Sequence, residues 1–222
     1  MQDLIKQEQF ELEVLDKLNT ARLLNKLIFC GGTMLRLCYG LQRFSVDLDF
    51  WLARKVSHAK LFKELKDILS ASYTIRDSAN KFHTILFEIK SSRYPRALKI
   101  EVRKQARKVK ADTAIAYSQY SNTQVFLKVL SLQDMMRNKA EAFLSRKEAR
   151  DIFDMEFLFK KGILLGIPKK DIGKILSTLD ALTKKDYQVK LGALLLPEQR
   201  AYYTKENFKI LRMALEERIS SI

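Results

Sequence analysis

The stretch GGTMLRLCYGLQRFSVDLDF, residues 31–50, decides how this chain is read. It follows a short apolar run, Leu27-Ile28-Phe29-Cys30, that stops at Gly31-Gly32. A run of that kind ending on two glycines is expected as a strand feeding a tight turn. Thr33 to Tyr39 then suits a short helix, with Gly40 as its C-terminal cap. Val46 to Trp51 alternates apolar and acidic residues, the period of a strand. Side chains at i and i+2 of a strand share a side, so Asp47 and Asp49 are expected on one face, with Leu48 and Phe50 on the other. Two carboxylates about 7 Å apart repel each other. A divalent cation that prefers hard oxygen ligands, Mg²⁺ above all, relieves the repulsion.

A D-x-D pair alone is a weak signal, because solvated strands contain it by chance. The turn ahead of it adds weight. Glycines let the backbone approach a bulky anion, and a helix N-terminus presents N–H groups and partial positive charge. Gly31, Gly32 and Thr33 are therefore candidates for a phosphate cradle, with Thr33 either contributing its hydroxyl or capping the helix. The carboxylates arrive sixteen residues after Gly31, across one short helix. A phosphate cradle next to metal-binding carboxylates is what a metal–nucleoside triphosphate needs. A third acidic ligand is expected from Glu101 in the strand-like segment Leu98-Lys99-Ile100-Glu101-Val102, with Glu88 as competitor.

Outward from this centre, residues 3–26 read as one or two amphipathic helices, with Leu12, Leu15, Leu18, Leu23 and Leu24 near helical spacing. Residues 57–71 form another helix. Phe82–Ile89 and Ala97–Val102 read as strands joined by a turn at 91–96, and Gln124–Leu130 as a further strand. From Ser131 onward the pattern is helical, with Pro197 expected to interrupt one helix. The expected fold is α+β: a mixed-sheet domain over residues 1–130, then a helical domain over 131–222. His58 and His83 have no partner at nucleophile or metal spacing, and Cys30 and Cys38 suit core packing.

The 222 residues include 41 Lys and Arg against 26 Asp and Glu, a net charge of +15. That excess predicts attraction to polyanions and says nothing of the fold. Two cysteines and two histidines exclude a disulfide framework and a standard structural zinc site. No apolar run approaches the roughly 20 residues of a membrane span, and the charged, helical start does not read as a signal peptide. A reduced, cytoplasmic protein without membrane association is expected. Residues 88–110 hold nine basic and two acidic residues. Within this strip Arg93, Arg96, Arg103, Lys104, Arg107 and Lys108 are candidates for contact with a phosphate backbone, and Tyr94 for stacking on a base.

The arrangement Gly31-Gly32-Thr33, Leu35-Arg36-Leu37, Tyr39-Gly40, Arg43-Phe44-Ser45 and Asp47-Leu48-Asp49-Phe50 resembles the signature of the AbiEii/AbiGii toxin family. These are nucleotidyltransferase-like proteins of the DNA polymerase β superfamily. A second block, KAEAFLSRKEARDIFD at 139–154, is similar to the family's later K…R…RD…D segment. The superfamily's usual Gly-Ser turn is Gly31-Gly32-Thr33 here. The resemblance implies catalytic roles for Asp47, Asp49, Lys139 and Asp151. It implies Mg²⁺ on Asp47, Asp49 and Glu101, with an NTP as substrate. Gly31, Gly32, Thr33 and Ser45 would cradle the phosphates, and Arg43 and Lys139 would offset their charge. It also implies a toxin that blocks translation by modifying an RNA, the tRNA 3′ end being the expected acceptor, and a cognate antitoxin as partner. Read physically, Lys139 and Asp151 also suit a salt-bridge network with Arg146 and Arg150, which does not exclude a catalytic role, and Asp154 reads as structural. Two other readings stay open: nucleotide transfer to a protein or small molecule, and a non-catalytic RNA-binding module.

Overall fold

The computed structural model describes residues 1–105 and 109–220. Their internal contacts divide them into two units. The first comprises Met1–Gly40 and Phe44–Ser131, and the second Leu41–Arg43 and Leu132–Ile222.

The first unit opens with helix α1 (Gln2–Thr20) and a short 3₁₀ segment (Leu23–Lys26), followed by strand β1 (Leu27–Cys30), helix α2 (Gly31–Tyr39) and strand β2 (Asp47–Leu52). Helix α3 (His58–Ser70) leads to β3 (Thr74–Asn80), β4 (Thr84–Lys90), β5 (Leu98–Arg103), β6 (Ala111–Ser118) and β7 (Ser121–Leu130). The strands form one mixed sheet in the order β3-β4-β5-β2-β1-β7-β6. β1 and β2 are antiparallel, Cys30 facing Asp49, while β2 runs parallel to β5 and β1 parallel to β7.

The alternation along these strands sorts the sheet into two faces. Phe29, Leu48, Phe50, Phe87, Ile100, Val102 and Val129 lie on one and are all fully buried. Helix α3 packs there, with Phe62 stacked on Phe87 at 5.0 Å. Helix α1 packs against β7 and buries Phe10, Leu12, Val14, Leu15 and Leu18. The carboxylates occupy the other face. Two strands absent from the sequence reading, β3 and β6, form the two edges. Gly40 closes α2 in the left-handed conformation, φ +78°.

The second unit is helical: α4 (Leu132–Arg146), α5 (Ala149–Lys160), α6 (Lys169–Asp180), a π-helical turn (Asp186–Leu191) passing into a 3₁₀ turn, α7 (Pro197–Glu206) and α8 (Lys209–Ser220). Pro197 starts α7 instead of interrupting a helix, since its missing N–H costs nothing at the first position. Glu156 is fully buried and well satisfied: Lys160 Nζ lies 2.6 Å and Tyr203 Oη 3.0 Å from it, and the Leu211 amide donates to it. Phe153, Tyr203, Phe208 and Tyr187 pack in series around that anchor. No described helix is long and apolar enough to cross a membrane.

Candidate active site

The turn between β1 and α2 is built on one glycine. Gly31 sits at φ +84°, where L side chains are strained. A Cβ there would lie 2.5 Å from Asp49 Oδ2 and 3.1 Å from Asp49 Cβ. The Asp49 carboxylate thus rests directly against the first residue of α2. Thr33, fully buried, donates its hydroxyl to the Asp47 carbonyl at 2.5 Å. It pins the start of β2 to the first turn of the helix, while α2 has no side-chain cap. Cys30 Sγ adds a contact of 3.4 Å to the Asp49 carbonyl. Sequence spacing pointed to this turn; its function as a clamp on both aspartate backbones was not visible there.

The parallel register of β2 and β5 puts Asp47 beside Lys99 and Asp49 beside Glu101. Paired residues of neighbouring strands, about 4.8 Å apart, point to the same face. Asp47, Asp49 and Glu101 therefore share one face, as the spacing suggests. Asp47 and Asp49 are half-buried. Lys99 lies among the carboxylates: its ammonium is 2.8 Å from Glu101 Oε1. Its pKa is raised chiefly by that hydrogen bond, with the Glu101, Asp47 and Asp49 charges adding to it. Lys99 is the site residue that sequence reasoning passed over, although its place two residues before Glu101 puts it on the same side. Glu88, the competing acid, faces Lys99 from β4, half-buried and 4.0 Å from Arg76.

Beneath the site, α1 carries a buried polar stripe, Gln7, Glu8 and Glu11. Gln7 Nε2 reaches the carbonyls of Val46 and Ala97, both at 3.4 Å, which tethers the chain as it enters β2 and β5. Glu8 pairs with Arg36 and accepts from the Ser118 hydroxyl. Neither carboxyl oxygen of Glu11 has a hydrogen-bond partner among the described residues. Burial above all, then the Glu8 charge and more weakly Asp47, push the Glu11 carboxyl well above the usual range, against the pull of Arg36.

The donor set suits a hard divalent cation of the Mg²⁺ kind: carboxylate oxygens alone, two on one strand and a third beside them. Gly31, with no Cβ, leaves the Asp49 carboxylate room against the turn. Among the described residues no three acidic, His or Cys groups are already gathered around a common point. Asp47 and Asp49 would hold the ion, and Glu101 would join them on parting from Lys99.

Arg43, Lys139, Asp151 and Asp154 come together within the helical unit. Arg43, 2% exposed, holds Asp154 bidentately at 2.7 Å and 2.7 Å. Lys139 Nζ lies 2.6 Å from Asp154 and 3.2 Å from Asp151. Arg146 forks onto Asp151 at 2.5 Å and 2.6 Å. Burial alone would raise the Asp154 carboxyl, but Arg43 and Lys139 outweigh it and hold the group below its usual value. Asp154, read from sequence as merely structural, is the hub. Arg150 points instead to Glu148. Ser45 is half-buried in the segment before β2.

The basic strip is dispersed. Arg93 pairs with Glu13 of α1 at 2.6 Å, although it stays 65% exposed. Tyr94 stacks on Phe10 at 4.5 Å and donates to Glu13 at 2.8 Å. It fastens the β4–β5 turn to α1, which corrects the expectation that it stacks on a base. Arg96 and Arg103 are exposed, and Lys104 donates to the Lys81 carbonyl. Arg107 and Lys108 lie outside the described residues.

Comparisons with known proteins bear on these observations. No curated protein matches the chain. Two solved structures share its fold. One is JHP933 from Helicobacter pylori, at 22% identity and a TM-score of 0.56, covering 95% of this chain and 96% of that one. The other is a proposed nucleotidyltransferase from H. pylori, at 20% identity and a TM-score of 0.56, covering 94% and 96%. At such identities the likeness is one of fold. The model of the AbiEii nucleotidyl transferase toxins, a type IV toxin–antitoxin system, matches residues 13–216. With the glycine turn and the paired aspartates inside that span, the chain belongs to the AbiEii nucleotidyl transferase toxin family.

Proposed function

We propose that this protein transfers a nucleoside monophosphate from an NTP to an RNA acceptor, the 3′ end of tRNA being the expected one, and so blocks translation. The observation that carries the reading is the contact of Gly31 with Asp49, on the strand whose parallel pairing with β5 sets Glu101 beside Asp47 and Asp49. Family membership supports the chemistry, and the net charge of +15 supports a polyanionic acceptor over a cationic antibiotic.

In this reading the amides at the start of α2 bind the triphosphate, with Gly31 and Gly32 allowing close approach and Ser45 adding a hydroxyl. A divalent cation on Asp47, Asp49 and Glu101 would neutralise phosphate charge and ease ionisation of the acceptor hydroxyl. That hydroxyl oxygen bonds to the α-phosphorus, the bond to the β-phosphate oxygen breaks, and pyrophosphate leaves. An aspartate carboxylate accepts the proton. Lys99 supplies positive charge at the same face. For Lys139, Asp151 and Arg43 the support is their place in the family's sequence pattern; we assign Lys139 and Asp151 a positioning role through the charge network they form. A separately encoded antitoxin and a cytoplasmic location complete the reading.

The test is label transfer from each of four α-labelled NTPs to total tRNA with Mg²⁺. Label on RNA supports the proposal. Label on protein or a small molecule moves the acceptor, and loss of NTP binding alongside intact RNA binding favours a non-catalytic RNA-binding module.

A further inference from the structure

The β6–β7 hairpin has an unusual outer face. Antiparallel hairpins with one side in a core normally present polar residues to water on the other. Here Ala116, Val125, Leu127 and Val129 are buried, whereas Phe126 is 63%, Tyr117 57% and Ile115 49% exposed. Ile115 stands directly across from Phe126, and Thr113 across from Lys128. Tyr117 follows two residues after Ile115, so alternation places it on the same side. Gln124, Thr113 and Lys128, also exposed, complete the surface.

The register shows which face this is. Phe29 of β1 pairs with Val129 of β7 on the buried side, and Cys30 faces Asp49 on the other. Lys128 and Phe126 therefore lie on the face that carries Asp47, Asp49 and Glu101. From Asp49 to Phe126 is two strands across and about four residues along, roughly 16 Å at ordinary strand spacings. That distance spans about five stacked nucleotides at 3.4 Å each.

We infer that the outer face of β6–β7, with Phe126, Tyr117 and Ile115 flanked by Lys128, is a stacking platform for the single-stranded end of the nucleic-acid acceptor. The inference rests on the proposed reaction and names where the acceptor strand lies. Bases have apolar faces that aromatic side chains on a sheet receive without sequence preference, and a nearby lysine meets the backbone. Charge argues for this occupant. The hairpin's one acid, Asp112, pairs with Val129 on the opposite face, so the platform carries only positive charge. A polyanion is attracted to it, whereas a second copy of a chain at +15 is repelled. An unprotected apolar edge is otherwise a liability that proteins remove.

The test is a fluorescence-anisotropy titration of a labelled single-stranded RNA decamer, and of its duplex, with wild type, Phe126→Ala, Tyr117→Ala and the double variant. These side chains are exposed, so folding is expected to survive, and circular dichroism checks it. We expect about tenfold weaker single-strand binding per aromatic removed, a raised KM for RNA with kcat nearly unchanged, and unaltered NTP binding. Wild-type single-strand affinity in the double variant overturns the platform while leaving the proposed reaction standing. A wild-type dimer in sedimentation that the double variant dissolves also overturns it, since a second copy then covers the face. A wild type that transfers label to protein or a small molecule and binds no RNA overturns both readings.

Discussion

Replacing Asp154 by Asn should cost the protein a large part of its stability. The side chain is fully buried and accepts from Arg43 at 2.7 Å and from Lys139 at 2.6 Å. The substitution keeps the volume and removes the charge. Arg43 loses its bidentate carboxylate, and Lys139 keeps Asp151 at 3.2 Å, a group that Arg146 already holds. Removing one member of a buried ion pair costs about 3–5 kcal/mol, because the remaining charge stays out of water. Lys139 retains one partner, so the figure is not doubled. Against a typical total of about 5–15 kcal/mol this is a fifth or more of the whole. Urea denaturation followed by helical circular dichroism reads it as a lower midpoint at unchanged slope. The pH dependence is a second readout. The Asp154 carboxyl lies below its usual value in the folded chain, so its contribution is complete above the unfolded value of about 3.9 and is lost as pH falls towards the folded one. The variant should lose that part of the acid sensitivity. A cost below about 1 kcal/mol would mean that the pair is not a buried, uncompensated one and that water or relaxation reaches Arg43 and Lys139.

Glu11→Gln should stabilise the chain at neutral pH. With its folded pKa raised, Glu11 destabilises increasingly as pH climbs from the unfolded value of about 4.3 towards the folded one, and melting curves against pH without divalent ions should show that slope vanish in the variant. Gly31→Ala should abolish transfer, because the added Cβ would lie 2.5 Å from Asp49 Oδ2 at a positive φ; calorimetric loss of divalent-ion binding by a folded variant checks it. Lys99→Met should tighten Mn²⁺ binding severalfold in calorimetry, since Glu101 no longer prefers the ammonium at 2.8 Å.

The central β1–α2–β2 unit was legible because its signals are local. A glycine pair after an apolar run and an alternating acidic strand point to their own geometry, and the parallel partner strand of Glu101 alternates as clearly. The edges were not legible. β3, Thr-Ile-Arg-Asp-Ser-Ala-Asn, and β6, Ala-Asp-Thr-Ala-Ile-Ala-Tyr-Ser, bury few side chains and each need only one neighbour, so their sequences carry little of the usual strand pattern. No local period marks the α1 face that carries Glu8 and Glu11 as buried. They are buried because Arg36, twenty-eight residues from Glu8, and Ser118, one hundred and ten away, meet that face. Asp154 reads as structural and is so, but its partner Arg43 is one hundred and eleven residues away, so its place at the centre of the network was not visible. Tyr94 looked available in a turn, but Glu13 and Phe10 had claimed it. Each of these contacts joins residues far apart in the chain, which no local period encodes.

In the proposed reaction Asp47 and Asp49, held against the Gly31 turn, perform nucleotidyl transfer to RNA. The most direct measurement is transfer of label from α-labelled NTPs to purified total tRNA by wild type and by Asp47→Ala, side by side with Mg²⁺. We expect labelled RNA with the wild type and none with the variant, at equal folding. Equal labelling by both proteins would contradict the claim, as would a folded wild type that neither binds NTP nor labels RNA.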